Sequence, residues 1–237
     1  GAARIVGDAL ATLRRTGVMT GSRPLLRADS AFYGHATIGT AIKAGADVVV
    51  LDGMQGGTGA TQDVFIEHVG IPTLPALRQA VEALDELEMH RKVQLIVSGG
   101  IRSGADVAKA LAMGADACSI GTAALIALGD NNPALDDEYC KLGSAAGFYD
   151  DFQDGQDPAG ISTQDEALAR RLDPVVGGRQ LANYLRVMTL ECQTIARACG
   201  KSHVHNLEPE DLAALTVESA AMAKIPLAGT NWIPGNT

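Results

Sequence analysis

The segment that decides the fold is Val93-Gln94-Leu95-Ile96-Val97-Ser98-Gly99-Gly100-Ile101-Arg102-Ser103-Gly104. Val93 to Val97 is a short apolar run rich in β-branched residues, which predicts a strand buried on both faces, as in a parallel sheet. Two glycines close it. A helical pattern follows over Ser103 to Met113, and Gly114 stands where a left-handed C-cap would end that helix. A second short strand, Ala117 to Ile120, then runs into Ile120-Gly121-Thr122-Ala123, another glycine-containing turn. Strand, glycine turn, helix and strand together make a βα unit.

The same unit repeats upstream. Ala41-Ile42-Lys43-Ala44-Gly45-Ala46-Asp47, an apolar strand and Gly53 are echoed by Ala110-Leu111-Ala112-Met113-Gly114-Ala115-Asp116, a strand and Gly121. Val48 to Leu51 is the strand of the first copy. Pro24 to Ala28 reads as another strand, with a helix near Ala36 to Lys43, and Ile71 to Thr73 as a short additional strand. Leu74 to Met89 reads as a helix with Pro75 near its start, where a missing N–H costs little. Repeated units of this size belong to a (β/α)8 barrel or a doubly wound sheet.

From Asn131 to Asp165 the periodicity fades and acids accumulate, including Asp136, Asp137, Glu138, Asp150, Asp151, Asp154 and Asp157. This reads as an excursion within one domain. Two helices are expected after it, near Gly178 to Cys199 and Pro209 to Ala223, the first with a core stripe of Leu181, Leu185, Met188, Cys192 and Ile195.

Composition narrows the function classes. Acids outnumber bases 28 to 19 over 237 residues, a net charge of -9, which argues against a general nucleic-acid or anionic-membrane binder but permits a local phosphate site. Aromatics are only 4 % of the chain, so the core must be built from Ala, Val, Leu and Ile. Cys118, Cys140, Cys192 and Cys199 form no CxxC pair, and a reduced, cytoplasmic protein is expected. No apolar run approaches the roughly 18 residues of a membrane span.

Glycines at a strand end let the backbone approach an anion closely, and a following helix N-terminus can aim N–H groups at it. Ser98-Gly99-Gly100 and Ile120-Gly121-Thr122 supply this chemistry at successive strand ends. In barrels, the loops after the last two strands commonly hold phosphate. A packing turn would explain either glycine segment alone, and the pair favours an anion site. Asp52-Gly53-Met54-Gln55-Gly56-Gly57-Thr58-Gly59-Ala60-Thr61 has too many glycines for a simple turn and lacks the Gly-Lys-Ser/Thr ending of a nucleotide P-loop, so a ligand-facing loop is expected. The acids at 150, 151, 154 and 157 do not follow EF-hand spacing. His203 and His205 lack a third ligand at zinc spacing, which favours an ordinary polar contact.

These residues carry a resemblance. Gly45 to Thr61, Gly70 to Thr73, Val93 to Ala127, Gly160 to Asp165 and Ser202 to Gly235 occur in the order found in the FMN-binding domain of the glutamate synthase large subunit. More narrowly, they resemble the glutamate-synthase-like subunits associated with N-methylglutamate synthesis. The resemblance implies FMN in a (β/α)8 barrel, its phosphate at Ser98, Gly99, Gly100, Ile120, Gly121 and Thr122, with Gly57 and Thr58 facing the ring and substrate. It implies an oxidoreductase that makes glutamate or N-methylglutamate, a 2-oxoglutarate-derived imine taking a hydride from reduced flavin. It also implies amidotransferase-type and electron-donating partner subunits.

Two departures accompany it. The family holds a three-iron cluster on cysteines that precede a Pro-Val-Gly-Val-Ala-Thr-Gln segment. Here Pro158-Ala159-Gly160-Ile161-Ser162-Thr163-Gln164 is preceded by Ala146, Phe152 and Asp157 at those positions, so no iron–sulfur cluster is expected. An active-site lysine of the family aligns with Arg27, which keeps the charge but not the capacity to lose a proton. Residues 26–35 and 8–17 instead resemble a DDE-type insertion-sequence transposase. The expected division is therefore 1–46, of separate origin, and 47–237, a half-barrel with the acidic excursion 130–165 and C-terminal helices.

Four convincing strands are half of the eight a closed barrel needs, and Gly1 is neither an initiator Met nor the head of a signal peptide. The chain reads as the C-terminal half of a barrel, a fragment whose open edges favour pairing with a missing half or with another copy in a homo-oligomer. Two other readings stay open. One is a phosphate-binding barrel resembling the inosine-monophosphate dehydrogenase type, which would need a nucleophilic cysteine in a glycine loop, whereas Cys118 lies in a strand. The other is an inactive chimeric remnant.

Overall fold

Four strands, β1 (Leu25–Asp29), β2 (Val48–Asp52), β3 (Gln94–Ser98) and β4 (Ala117–Ser119), form one parallel sheet in the order β1-β2-β3-β4. The structure is a computed structural model and describes residues 2–17, 25–29, 35–57, 63–143 and 155–235. Spatial order equal to chain order is the progression of a barrel; a doubly wound sheet reverses direction part-way. The register sets Asp29, Asp52, Ser98 and Ser119 side by side in a row, so every strand ends at the same edge of the sheet.

The helices between the strands are α1 (Ala2–Arg15), α2 (His35–Lys43), α3 (Asp63–His68), α4 (Thr73–Glu86) and α5 (Gly104–Ala112). After β4 come α6 (Thr122–Leu128), α7 (Asp136–Lys141), α8 (Glu166–Ala169), α9 (Pro174–Ala198) and α10 (Val217–Ala223). The sequence repeat is structural. Gly45 (φ +93°) and Gly114 (φ +106°) end α2 and α5 in the left-handed region. In both copies the next N–H reaches back five residues, Ala46 to the Ala41 carbonyl at 3.1 Å and Ala115 to that of Ala110 at 3.0 Å. This Schellman closure turns each helix into its following strand.

Alternation along the strands separates two faces. Val49, Leu51, Leu95 and Val97 are fully buried against α2 and α4, in a core that also includes Leu77, Leu84 and Met113. Their neighbours Val48, Val50 and Ile96, on the opposite face, are only half-buried. That face would line a barrel's interior. No described residue pairs with the outer edges of β1 and β4. A smaller core joins Ala108, Leu111 and Ala112 of α5 to Cys192 and Ala196 of α9.

Several expectations change. Ile71 to Thr73 is no strand: Pro72 precedes the first residue of α4, and the Ile71 carbonyl accepts from Met54 N–H at 3.0 Å. The helix expected from Pro209 is a 3-10 turn at Pro209–Asp211, and α10 starts only at Val217, capped by the Thr216 hydroxyl. On α9 the inward stripe runs through Gly177, Met188, Cys192 and Ala196, leaving Leu185 exposed. Within the excursion α7 forms, while residues 144–154, with Ala146 and Phe152, lie outside the described residues. No described helix is long and apolar enough to cross a membrane.

Candidate functional site

The loops leaving β2, β3 and β4 open into one cleft of about 1480 Å³ at the C-terminal edge of the sheet. This exceeds the usual 300–1,000 Å³ of a small-molecule pocket. Ser98, Gly99, Gly100, Ile120, Gly121, Thr122 and Gly57, separate in sequence, all line it. Thr58 lies outside the described residues. Arg27 is placed by its backbone: it pairs with Val50, which pairs with Ile96, which pairs with Ala117. Val50 and Ile96 of that row are on the half-buried face of the sheet; the Arg27 side chain lies outside the described residues.

The turn after β3 takes its shape from two consecutive left-handed glycines, Gly99 (φ +105°) and Gly100 (φ +74°). A side chain at Gly99 would also meet the Gly53 carbonyl and the Thr73 hydroxyl, each at 2.9 Å. Gly53 donates its N–H to the Ser98 carbonyl at 2.9 Å, so the β2 and β3 loops leave the sheet in contact.

The two helix N-termini at the cleft differ. Ser103 caps α5; Asp106 Oδ2 accepts from the Arg102 N–H at 3.1 Å, and Glu191 Oε2 of α9 accepts from the Gly104 N–H at 2.7 Å. Protein carboxylates therefore occupy the start of α5, contrary to the expectation that it aims its donors at an anion. At α6 the preceding residue is Gly121, with no side chain to cap Thr122 and Ala123, whose N–H groups have no intrahelical partner. The uncapped turn of α6 and the paired left-handed glycines both border the cleft.

Thr73, Gln55 and Tyr184 also line this cleft; the sequence placed Gln55 in the ligand-facing loop but gave none of the three a role. Thr73 is buried beneath both glycine loops. Tyr184 of α9 donates its hydroxyl to the Arg102 carbonyl and fastens the end of the β3 turn. Only tertiary structure brings α9 here, so no local sequence signal could have found Tyr184. Pro72 offers a faint signal for Gln55, since proline cannot cap a helix with its side chain and some other acceptor must serve α4.

Outside the cleft, burial pushes the Cys118 thiol up to about 12, which removes it as a nucleophile. His205 Nε2 stands 2.9 Å from the Asp116 carbonyl and the His203 ring stacks on it. Asp157 is buried and accepts from the N–H groups of Ala159, Ile161 and Ser162 at 2.7–2.8 Å.

Residues 28–202 match a family model described as the conserved region in glutamate synthase. The chain belongs to the glutamate synthase family. The match begins at Ala28, near the end of β1, and includes α2, so the glutamate synthase region extends upstream of the boundary expected near residue 46. A "glutamate synthase large subunit-like protein" of Rhizobium meliloti (strain 1021) is 74% identical over 195 residues, 82% of this chain and 44% of its own length. The archaeal glutamate synthase [NADPH] of Methanocaldococcus jannaschii is 41% identical over 162 residues, 68% of this chain and 29% of its own. The chain thus spans less than half the length of these relatives. Among solved structures, a doubly substituted flavocytochrome b2 with pyruvate bound superposes with a TM-score of 0.53 at 18% identity, covering 96% of this chain and 41% of that one. This is a likeness of fold.

Proposed function

We propose that this chain is the phosphate-binding half of an FMN-dependent, glutamate-synthase-like oxidoreductase. The observation that carries the reading is the convergence of Gly99-Gly100 and the uncapped start of α6 in one open cleft. Ser98, Gly99, Gly100, Ile120, Gly121 and Thr122 would hold the FMN phosphate, with Gly57 and Thr58 near the ring. Bound there, FMN supplies hydride transfer to a carbon–nitrogen double bond. The chain's own residues would bind and orient it. Arg27, which stands where the family has an active-site lysine, would keep that positive charge, and family membership disfavours the inosine-monophosphate dehydrogenase type.

The proposed reaction takes 2-oxoglutarate and an amine to glutamate, or to N-methylglutamate when the amine is methylamine. Amidotransferase-type and electron-donating subunits would supply nitrogen and electrons. The open sheet edges favour assembly with the remainder of a barrel, from a partner polypeptide or from a second copy. We also propose that the separate origin expected for residues 1–46 is confined to the stretch before residue 28, where the family match begins.

An absorbance spectrum of the purified protein, before and after reconstitution with FMN, tests this. Bound flavin should give the two visible flavin bands in stoichiometric amount. Failure to retain any FMN would sink the reading for this chain and leave the inactive remnant in its place.

A further inference from the structure

Beneath the two glycine loops sits a buried threonine. Thr73 Oγ1 lies 2.7 Å from Gln55 Oε1 and 2.8 Å from the Gly99 carbonyl, so one hydroxyl proton serves two acceptors in a three-centre arrangement. The Thr73 N–H donates to the same Gln55 oxygen at 2.8 Å. Gln55 thereby caps α4 from 18 residues away, in place of Pro72. Three segments meet at this side chain: the β2 loop through Gln55, the β3 turn through Gly99, and the start of α4. Space there is fully used, since a Cβ on Gly53 would lie 2.0 Å from the Thr73 hydroxyl oxygen.

The consequence follows from peptide geometry. The Gly99 carbonyl and the Gly100 N–H belong to one planar trans unit and point in opposite directions. Holding that carbonyl against Thr73 fixes the Gly100 N–H on the side away from Thr73. Gly100 has no side chain to restrain it and adopts a left-handed conformation, so its peptide plane would otherwise be free to rotate.

We propose that Thr73 is a positioning residue for the proposed anion site: its hydroxyl orients the Gly100 N–H and locks the β2 loop and β3 turn into one unit. The role in cofactor binding rests on the FMN reading above; the locking does not. Thr73 acts by removing the alternative orientation of the turn, which preorganises the donors.

Hydrogen–deuterium exchange and FMN titration of wild type, Thr73→Val and Thr73→Ser test both parts. Valine keeps the volume and removes the proton. Without ligand, Thr73→Val should raise exchange in residues 53–57 and 98–101 together, and Thr73→Ser should restore wild-type exchange. Losing the hydroxyl should weaken FMN binding roughly 3- to 10-fold, again with rescue by serine. Unchanged exchange at 98–101 in Thr73→Val, or a serine variant as impaired as valine, would overturn the proposal. If wild type binds no FMN, the functional reading fails and the exchange comparison still decides the locking. If FMN binds wild type and Thr73→Val equally, the positioning role fails and the functional reading survives.

Discussion

A methyl group added at Gly99 would crowd the Gly53 carbonyl and the Thr73 hydroxyl, on a backbone already at φ +105°. Gly99→Ala should therefore destabilise the protein by about 1–3 kcal/mol, and it should weaken phosphate-monoester binding more than the stability loss alone explains. Gly178, within α9, is the opposite case: a Cβ there meets nothing within 4 Å and φ is not left-handed. Gly178→Ala should stabilise by about 0.5–1 kcal/mol, because alanine has fewer unfolded conformations to lose. Urea denaturation of both variants checks the pair, and equal effects would show that the β3 turn relaxes around a side chain. Glycine content alone marked the β2 loop and the β3 turn as unusual. Which glycine is indispensable was not legible, because the obstructing atoms come from Thr73 and Gly53, brought together only by the fold.

At the scale of elements, β2 was readable because its apolar run is flanked by Asp47 and Asp52-Gly53, β3 because its run lies between Lys92 and Ser98-Gly99, and α5 because Ser103 and Gly114 cap it. The element α6 escaped, since Thr122-Ala123-Ala124-Leu125-Ile126-Ala127-Leu128 has no polar face to give a period and no side-chain cap. The acidic excursion hid a buried arrangement. Asp130 is 2 % exposed, and burial, then the charge of Asp157, pushes its carboxyl up from 3.8 to about 6. The Tyr139 hydroxyl stands between them, donating to Asp157 Oδ1 at 3.3 Å. With the folded value above the unfolded one, Asp130's contribution is fully present below pH 3.8. It is lost progressively as pH rises through about 6, where the folded carboxyl must ionise. A shift of this size is on the order of 3 kcal/mol. Asp130→Asn keeps the acceptor for the Asn131 N–H, so thermal melts should show it gaining on wild type between pH 4 and 7. Parallel melting curves across that range would remove the repulsion from the account. The same packing makes Asp157→Ala costly, by about 3 kcal/mol, because three backbone N–H groups lose their acceptor.

For the whole molecule, adjacent residues of β3 offer the sharpest contrast. Leu95 is fully buried against the helices, and Ile96, on the opposite face, is only half-buried. In a closed barrel both positions would be interior, one between sheet and helices and one inside the barrel. The strand alternation was legible, yet the two kinds of buried face were not, because an apolar run looks the same whichever face is covered. The open face also places β1 and β4 at edges with backbone groups available for pairing. Leu95→Asp should unfold the chain, since an unpaired carboxylate in that core costs several kcal/mol. Ile96→Asp should cost less than about 1 kcal/mol in the isolated chain, where water reaches the site. Its effect should fall on assembly instead. Wild type in light scattering should run above its 24.5 kDa monomer mass, by covering the half-barrel with another copy, and Ile96→Asp should return it to monomer. A monomeric wild type, or an Ile96→Asp variant as unstable as Leu95→Asp, would mean that this face is already covered within one chain.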